Sequence, residues 1–174
     1  MSTEKWDLYD KNRILTGKTV ERSAQIENGY YRVVIHAAII DSSGRMLIQQ
    51  RQPFKHGWGG MWDLSVGGHV KSGETSSEGA SRELLEEIGF RISSDELRPS
   101  LTVNFVNGFD DIYIINADVD PDKLSLQEEE VKEVRLADMY EIFSMIDSGE
   151  FIPYRKDLIS LIFEMTNSMG VHSR

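Results

Sequence analysis

The stretch RELLEEIGF, residues 82–90, crowds three glutamates and one arginine together and stops on a glycine. At about 100° per residue around an α-helix, Glu83, Glu86 and Glu87 share one face, at spacing i, i+3, i+4. Ala80, Leu84, Leu85 and Ile88 cover a different sector, the one a helix buries against a core. Gly89 supplies the left-handed residue that commonly ends a helix. The spacing predicts a helix from Thr75 to Ile88 with an acidic face. Like charges so placed cost about 0.2–0.5 kcal/mol per pair, so the face needs free solvation or a counter-charge. Two readings follow: a solvated acidic surface, or a divalent cation held by hard oxygen ligands, which suits Mg²⁺ or Mn²⁺.

The chain has 174 residues, 40% apolar and 28% charged, as expected of one globular domain over 1–174. It contains no apolar run of membrane-spanning length. Its first twenty residues carry charges throughout, so no secretory signal is expected and the cytoplasm is the expected compartment. Cysteine is absent, which excludes disulfides, thiolate metal sites and a cysteine nucleophile. A net charge of −10 gives no broad basic footprint for nucleic acid or an anionic membrane. An anionic substrate would need local cations, and a captured metal ion would serve.

Along the chain, residues 5–10 and 18–26 read as short strands, an N-terminal extension over about 1–26. YYRVVIHAAIID (30–41) reads as a central strand and RMLIQQR (45–51) as a second. A glycine-rich stretch precedes the acidic helix, and RIS (91–93) reads as a short strand. LTVNFVNGFDDIYIINADV (101–119) reads as a hairpin turning at Asn107-Gly108, and EVKEVRL (130–136) as another strand. Helices are expected at 138–147 and at 154–166, the latter behind Pro153. Residues 167–174 read as a frayed tail. Strands interleaved with and followed by helices point to an α/β sandwich, a mixed β-sheet with helices on both faces.

Upstream of the acidic face, GHVKSGETSSEGASRELLEEIGF (68–90) fills every fixed position of a long pattern: Gly68, Glu74, Arg82, Glu83, Glu86, Glu87 and Gly89, with Leu84 and Phe90 at apolar sites. This segment resembles the Nudix box, Gly-x5-Glu-x7-Arg-Glu-U-x-Glu-Glu-x-Gly-U, with U an apolar residue. The resemblance implies a Nudix-type fold, a metal-dependent hydrolase of diphosphates with Mg²⁺ or Mn²⁺ as cofactor, and a small-molecule diphosphate partner. It places metal ligands at Glu83, Glu86 and Glu87 and at the Gly68 carbonyl. Arg82 would restrain the carboxylates, and Glu74 would orient them. The general base would be Glu83 or, in the acidic run QEEEV, Glu129.

The order GRMLIQQR, a lysine-containing loop, then MWDLSVGGHV resembles the Nudix branch related to type I isopentenyl-diphosphate isomerase. In that branch a catalytic cysteine stands where this chain has Gly67, and glycine can neither donate nor accept a proton. The isomerase therefore remains only an alternative, as does a non-catalytic nucleotide sensor. Asp110 and Asp111 fall near hairpin carboxylates of the isomerase but also suit a turn. Arg51 and Lys55 are candidate phosphate-binding cations. His69 is placed to contact phosphate or to serve as a structural residue, and His36 reads as a satisfied interior one. Trp58 could wall the site and Trp62 reads as core; Phe105 and Tyr113 are pocket-wall candidates. The apolar stripe of the last helix suits a core or a homodimer interface. Nothing in the sequence names the group attached to the diphosphate.

Overall fold

The computed structural model describes residues 4–167 together with 170 and 172. Its centre is β3, Arg32–Ile40. Val33, Ile35, Ala37 and Ile39 face one core, shared with Ala80, Leu84 and Ile88 of α1, Ser76–Ile88. Ala38 and Ile40 face a second core, shared with Ile142 and Met145 of α2, Met139–Ser148, and with Ile159 and Ile162 of α3, Lys156–Met165. Burial on both faces is why this strand reads as a largely apolar run. Side chains as deeply buried as Ile35 and Leu84 each contribute about 1.5–3 kcal/mol by leaving water. Ile159, Ile162 and Met165 bury the stripe of α3 in the core.

Beside β3 run β4, Met46–Arg51, and β8, Gly108–Asn116; β5, Trp62–Asp63, and β7, Leu101–Phe105, flank these. β6, Val66–His69, pairs with β3, and β9, Val131–Ala137, with β4. The sheet is mixed, because β3 and β8 are parallel and the other pairs antiparallel. α1 covers one face, α2 and α3 the other, giving the expected α/β/α arrangement.

One break in this sheet positions the site. β3 and β4 pair only at Ile40 and Met46; beyond that point β6 takes the edge of β3 and β5 the edge of β4. Ser65, fully buried at the fork, accepts a hydrogen bond from Ile39 N at 2.8 Å and donates to Leu47 O at 2.5 Å. One hydroxyl thus satisfies backbone groups on both diverging strands. The sequence reading missed β5 and β6, which are short and lack alternation.

The N-terminal pair, β1 (Lys5–Tyr9) and β2 (Leu15–Glu21), is a separate antiparallel ribbon. Ser72 Oγ and Gly73 N donate to the two Asp7 oxygens at 2.6 and 2.8 Å, docking it on the loop before α1. Its turn is held by fully buried Asp111, which accepts from Arg13, Thr102 Oγ1 (2.6 Å) and Ser76 Oγ (2.5 Å).

Several boundaries correct the sequence reading. The second strand starts earlier than residue 18 and ends before 26, because Asp10 Oδ1 accepts from Asn12 N and Ile14 N and closes the turn early. RIS forms no strand; Ser93 instead caps a short 3-10 turn, Ser94–Glu96. The last helix starts at Lys156 rather than 154, after an extended Arg155. The expected tail, 167–174, falls mostly outside the described residues. The hairpin turns at Val106-Asn107, not Asn107-Gly108, and Gly108 pairs with Phe105 as the first residue of β8. A Cβ on Gly108 would strike the Phe105 ring and the Arg32 carbonyl oxygen. Gly108→Ala is therefore expected to cost about 1–3 kcal/mol by overpacking, seen as a melting point lower by roughly 2–10 °C.

Candidate active site

α1 is fixed at both ends before its acidic face is used. Thr75 and Glu78 form a reciprocal capping box, and Gly89 closes the helix with φ 70°. The helix packs on β3 and β6 and reaches β4 through Gln49 Nε2, which donates to Glu87 Oε2 at 3.1 Å. The acidic face thus lies across the fork in the sheet and lines a cleft of about 760 Å³.

Arg82 organises this face. Its Nε and Nη2 donate to the two oxygens of Glu74 at 2.7 and 2.9 Å. Nη1 lies 2.9 Å from Glu83 and 3.0 Å from Glu86, and Nη2 also donates to the His69 carbonyl at 3.0 Å. Burial disfavours the guanidinium, but hydrogen bonds to Glu74 and the charge of Glu83 outweigh that and raise its pKa. For Glu74 the sign reverses: burial raises its pKa, yet Arg82 and the Lys71 amide bring it below the ordinary value.

The inner carboxylates are under strain of another kind. Glu87 is only 5% exposed; burial, then the charge of Glu83, pushes its pKa to about 8. Glu83 is raised too, by burial first, against the lowering effect of Arg82. A Cβ on Gly68 would collide with the Glu83 carboxylate, so only glycine lets that carboxylate lie against the β6 backbone. Glu86 is more open and has Lys71 Nζ at 3.7 Å.

Among the described residues, no three His, Asp or Glu side chains already stand close enough to share one ion; Arg82 bridges the outer ones instead. The donor chemistry nevertheless fits a hard divalent cation. Glu83, Glu86 and Glu87 line one wall with oxygen donors only, and the buried Glu87 carboxylate has a single amide as its hydrogen-bond partner.

The cleft gathers most of the sequence-derived candidates: Arg51, Lys55, Gly68, His69, Arg82, Glu83, Glu86 and Glu87. Glu129 is exposed and does not line it; the neighbouring Glu130 does, with its carboxylate 2.5 Å from Lys55 Nζ. Arg51 lies 3.9 Å from Asp63, and its Nε is buried without an acceptor among the described residues. His69 stacks on Trp6, ring centroids 4.1 Å apart and 3° from parallel. Burial, then the charges of Arg32 and Arg22, lowers its pKa to about 4, so it is neutral near pH 7. Trp58 lines the rim with φ 55°, a backbone strain that side chains larger than glycine seldom adopt. Tyr113 is a correction: it is buried in the core and its hydroxyl meets Ser76 at 2.8 Å, whereas Phe105 does line the cleft.

Arg32 and Tyr154 escaped the sequence reading, and His36, read as a satisfied interior residue, is one. Arg32 lines the cleft from the start of β3. His36 Nδ1 sits 2.8 Å from Asp110, its ring filling space that a Cβ on Gly67 would need. Tyr154 donates to Asp63 at 2.7 Å beside it. Strand alternation could have put Arg32, Val34 and His36 on one face, but not into a cleft.

Comparison with known proteins agrees with this architecture. Residues 30–155 match the family model for the NUDIX domain. An uncharacterized Nudix hydrolase of Listeria monocytogenes is 41% identical over 97% of this chain and 99% of its own length. The crystal structure of DR0079 from Deinococcus radiodurans superposes with a TM-score of 0.73 at 24% identity, covering 91% of this chain and 97% of that one. An isopentenyl-diphosphate Delta-isomerase of Serratia proteamaculans is 37% identical over only 44% of this chain and 46% of its own length. No helix of the described residues is long and apolar enough to cross a membrane. On the domain match and the full-length relative, the chain belongs to the Nudix hydrolase family, enzymes that act on pyrophosphate bonds and generally use divalent metal ions.

Proposed function

We propose that the chain hydrolyses the phosphoanhydride bond of a diphosphate linked to another moiety, X, giving X-phosphate and a second phosphate product. The observation that carries this reading is the acidic row of α1, buried at one end and opening on a cleft that also holds Arg51 and Lys55. Glu83, Glu86, Glu87 and the Gly68 carbonyl are the groups that would hold Mg²⁺ or Mn²⁺, which when bound neutralises phosphate oxygens and activates water. Arg82 fixes the directions of Glu83 and Glu86, and Glu74 fixes Arg82, so the row is set before substrate arrives. Arg51 and Lys55 approach the diphosphate from the β4 side as cations. Water attacks phosphorus, the bridging P–O bond breaks, and Glu83 takes the proton from the water. Glu129 is not favoured as base, because Glu130 rather than Glu129 reaches the cleft.

The isomerase reading has no observation in its favour at the position that matters, since Gly67 offers no proton-transfer group. A phosphate-release screen with Mg²⁺ and Mn²⁺ over nucleoside triphosphates, nucleoside diphosphate sugars, dinucleotides and prenyl diphosphates tests the proposal. Metal-dependent release of phosphomonoester from at least one class is expected. Conversion of isopentenyl diphosphate to its isomer without phosphate release, or tight nucleotide binding with no turnover in any class, would overturn it.

A further inference from the structure

Among the described residues, Arg32 is a cation held in place with no counter-charge. It opens β3, on the side of the fork opposite β4, and lines the cleft. Its guanidinium carbon lies 5.2 Å from the Trp6 ring centroid and 5.4 Å from that of Phe105. Trp6 is itself steadied by its stack on His69, and the bare backbone of Gly108 lets the Phe105 ring fold across β8. Two aromatic faces thus fix the guanidinium without neutralising it.

The hydrogen-bonding account of this side chain is unfilled. Nε is shut from solvent and has no acceptor among the described residues. Burial lowers its pKa, and no carboxylate among the described residues offsets the effect. The other cations at this end differ: Arg22 is paired with Glu4 at 3.3 Å and Lys71 lies 3.7 Å from Glu86. Native structures seldom leave a buried donor unsatisfied, and a preorganised guanidinium edge matches a phosphate.

Position supplies the rest. The acidic row of α1 crosses the fork, with Arg51 and Lys55 on the β4 side and Arg32 on the β3 side. A diphosphate bound at that row already has cations on one flank, which leaves Arg32 for a different anion. We infer that Arg32, clamped between Trp6 and Phe105, binds a phosphate on the X portion of the substrate, so that the preferred class is a diphosphate whose X carries a further phosphate. This rests on the hydrolase reading above.

Two measurements on Arg32→Met test it, since methionine keeps an unbranched stem between the rings and removes the charge. With chelator present, inorganic pyrophosphate is titrated calorimetrically into parent and variant; affinity is expected to fall about tenfold or more. With metal present, nucleoside diphosphate compounds are compared with counterparts bearing an added ribose 2′- or 3′-phosphate. The parent is expected to favour the phosphorylated member, and the variant to raise KM for that member about tenfold, with kcat and the unphosphorylated KM nearly unchanged. Equal loss on both members means that Arg32 serves the shared diphosphate, and overturns the inference, as does no change in either measurement. Should Arg32→Met fail to fold, Phe105→Leu on the hairpin rim loosens the clamp, and the same selective rise in KM is expected; its absence overturns the inference. If neither compound is cleaved by the parent and no class in the phosphate-release screen is turned over, while pyrophosphate binding still depends on Arg32, the hydrolase reading fails and the anion site stands.

Discussion

Glu87→Gln is expected to lower metal-dependent kcat by about 10²–10³-fold while melting no lower than the parent in chelator. The two halves of this result have one cause. The Glu87 carboxylate is nearly sealed from water and faces Glu83, and together these push its pKa to about 8. Glutamine keeps the shape and an acceptor for the Gln49 amide, and it removes the cost of a buried acid beside another acid. What it cannot supply is a charged oxygen for a divalent ion. Steady-state kinetics with Mg²⁺, alongside melting in EDTA, separate the two effects. Parental turnover in the variant would sink the three-carboxylate proposal. A large loss of stability would show Glu87 to be a structural residue.

Asp111→Ala should have the largest effect on stability, about 3–5 kcal/mol, because it strands Arg13 and two hydroxyls around a buried vacancy. Melting is expected to fall by roughly 10 °C or more. Asp111 joins the N-terminal ribbon, β7 and the first turn of α1 at one point. Its pKa sign also gives a pH dependence. Burial raises the pKa, but bonds from Arg13, Ser76 and Thr102 outweigh burial and bring it below the ordinary 3.8. A depressed carboxylate contributes stability that is present above its unfolded pKa and lost as pH falls through the folded one. The melting-point difference between parent and Asp111→Asn should therefore be constant above about pH 5 and shrink below pH 3.8. A difference that stays flat into strong acid would contradict the assignment.

How much of this was legible in the sequence depended on whether local chemistry or three-dimensional closure decided the matter. α1 was readable because its signals are local: the apolar sector with Ala80, Leu84 and Ile88, the acidic face beside it, and Gly89 to stop it. β3 was readable because burial on both sides left a largely apolar run. β5 and β6 were not, since their few residues are set by the strands that they fill in between. The choice between Glu129 and Glu130 could not be read from three adjacent glutamates. It is made by a turn in which Glu130 N donates to Gln127 O while Gln52 N donates to Glu130 O, bringing Glu130 to Lys55. Arg32 looked like an ordinary polar start to a strand, and only Trp6 and Phe105, distant in sequence, give it a setting.

The grip of Arg82 on Glu74, Glu83 and Glu86 has a consequence for how the protein matures. A resident guanidinium acts as a placeholder, quieting the outer acids while no ion is bound, so the chain can fold to its final shape in magnesium-poor surroundings. Were Glu83 and Glu86 to hold an ion as proposed, loading would come late, at a finished surface, and scarcity of metal should idle the catalyst without unravelling it.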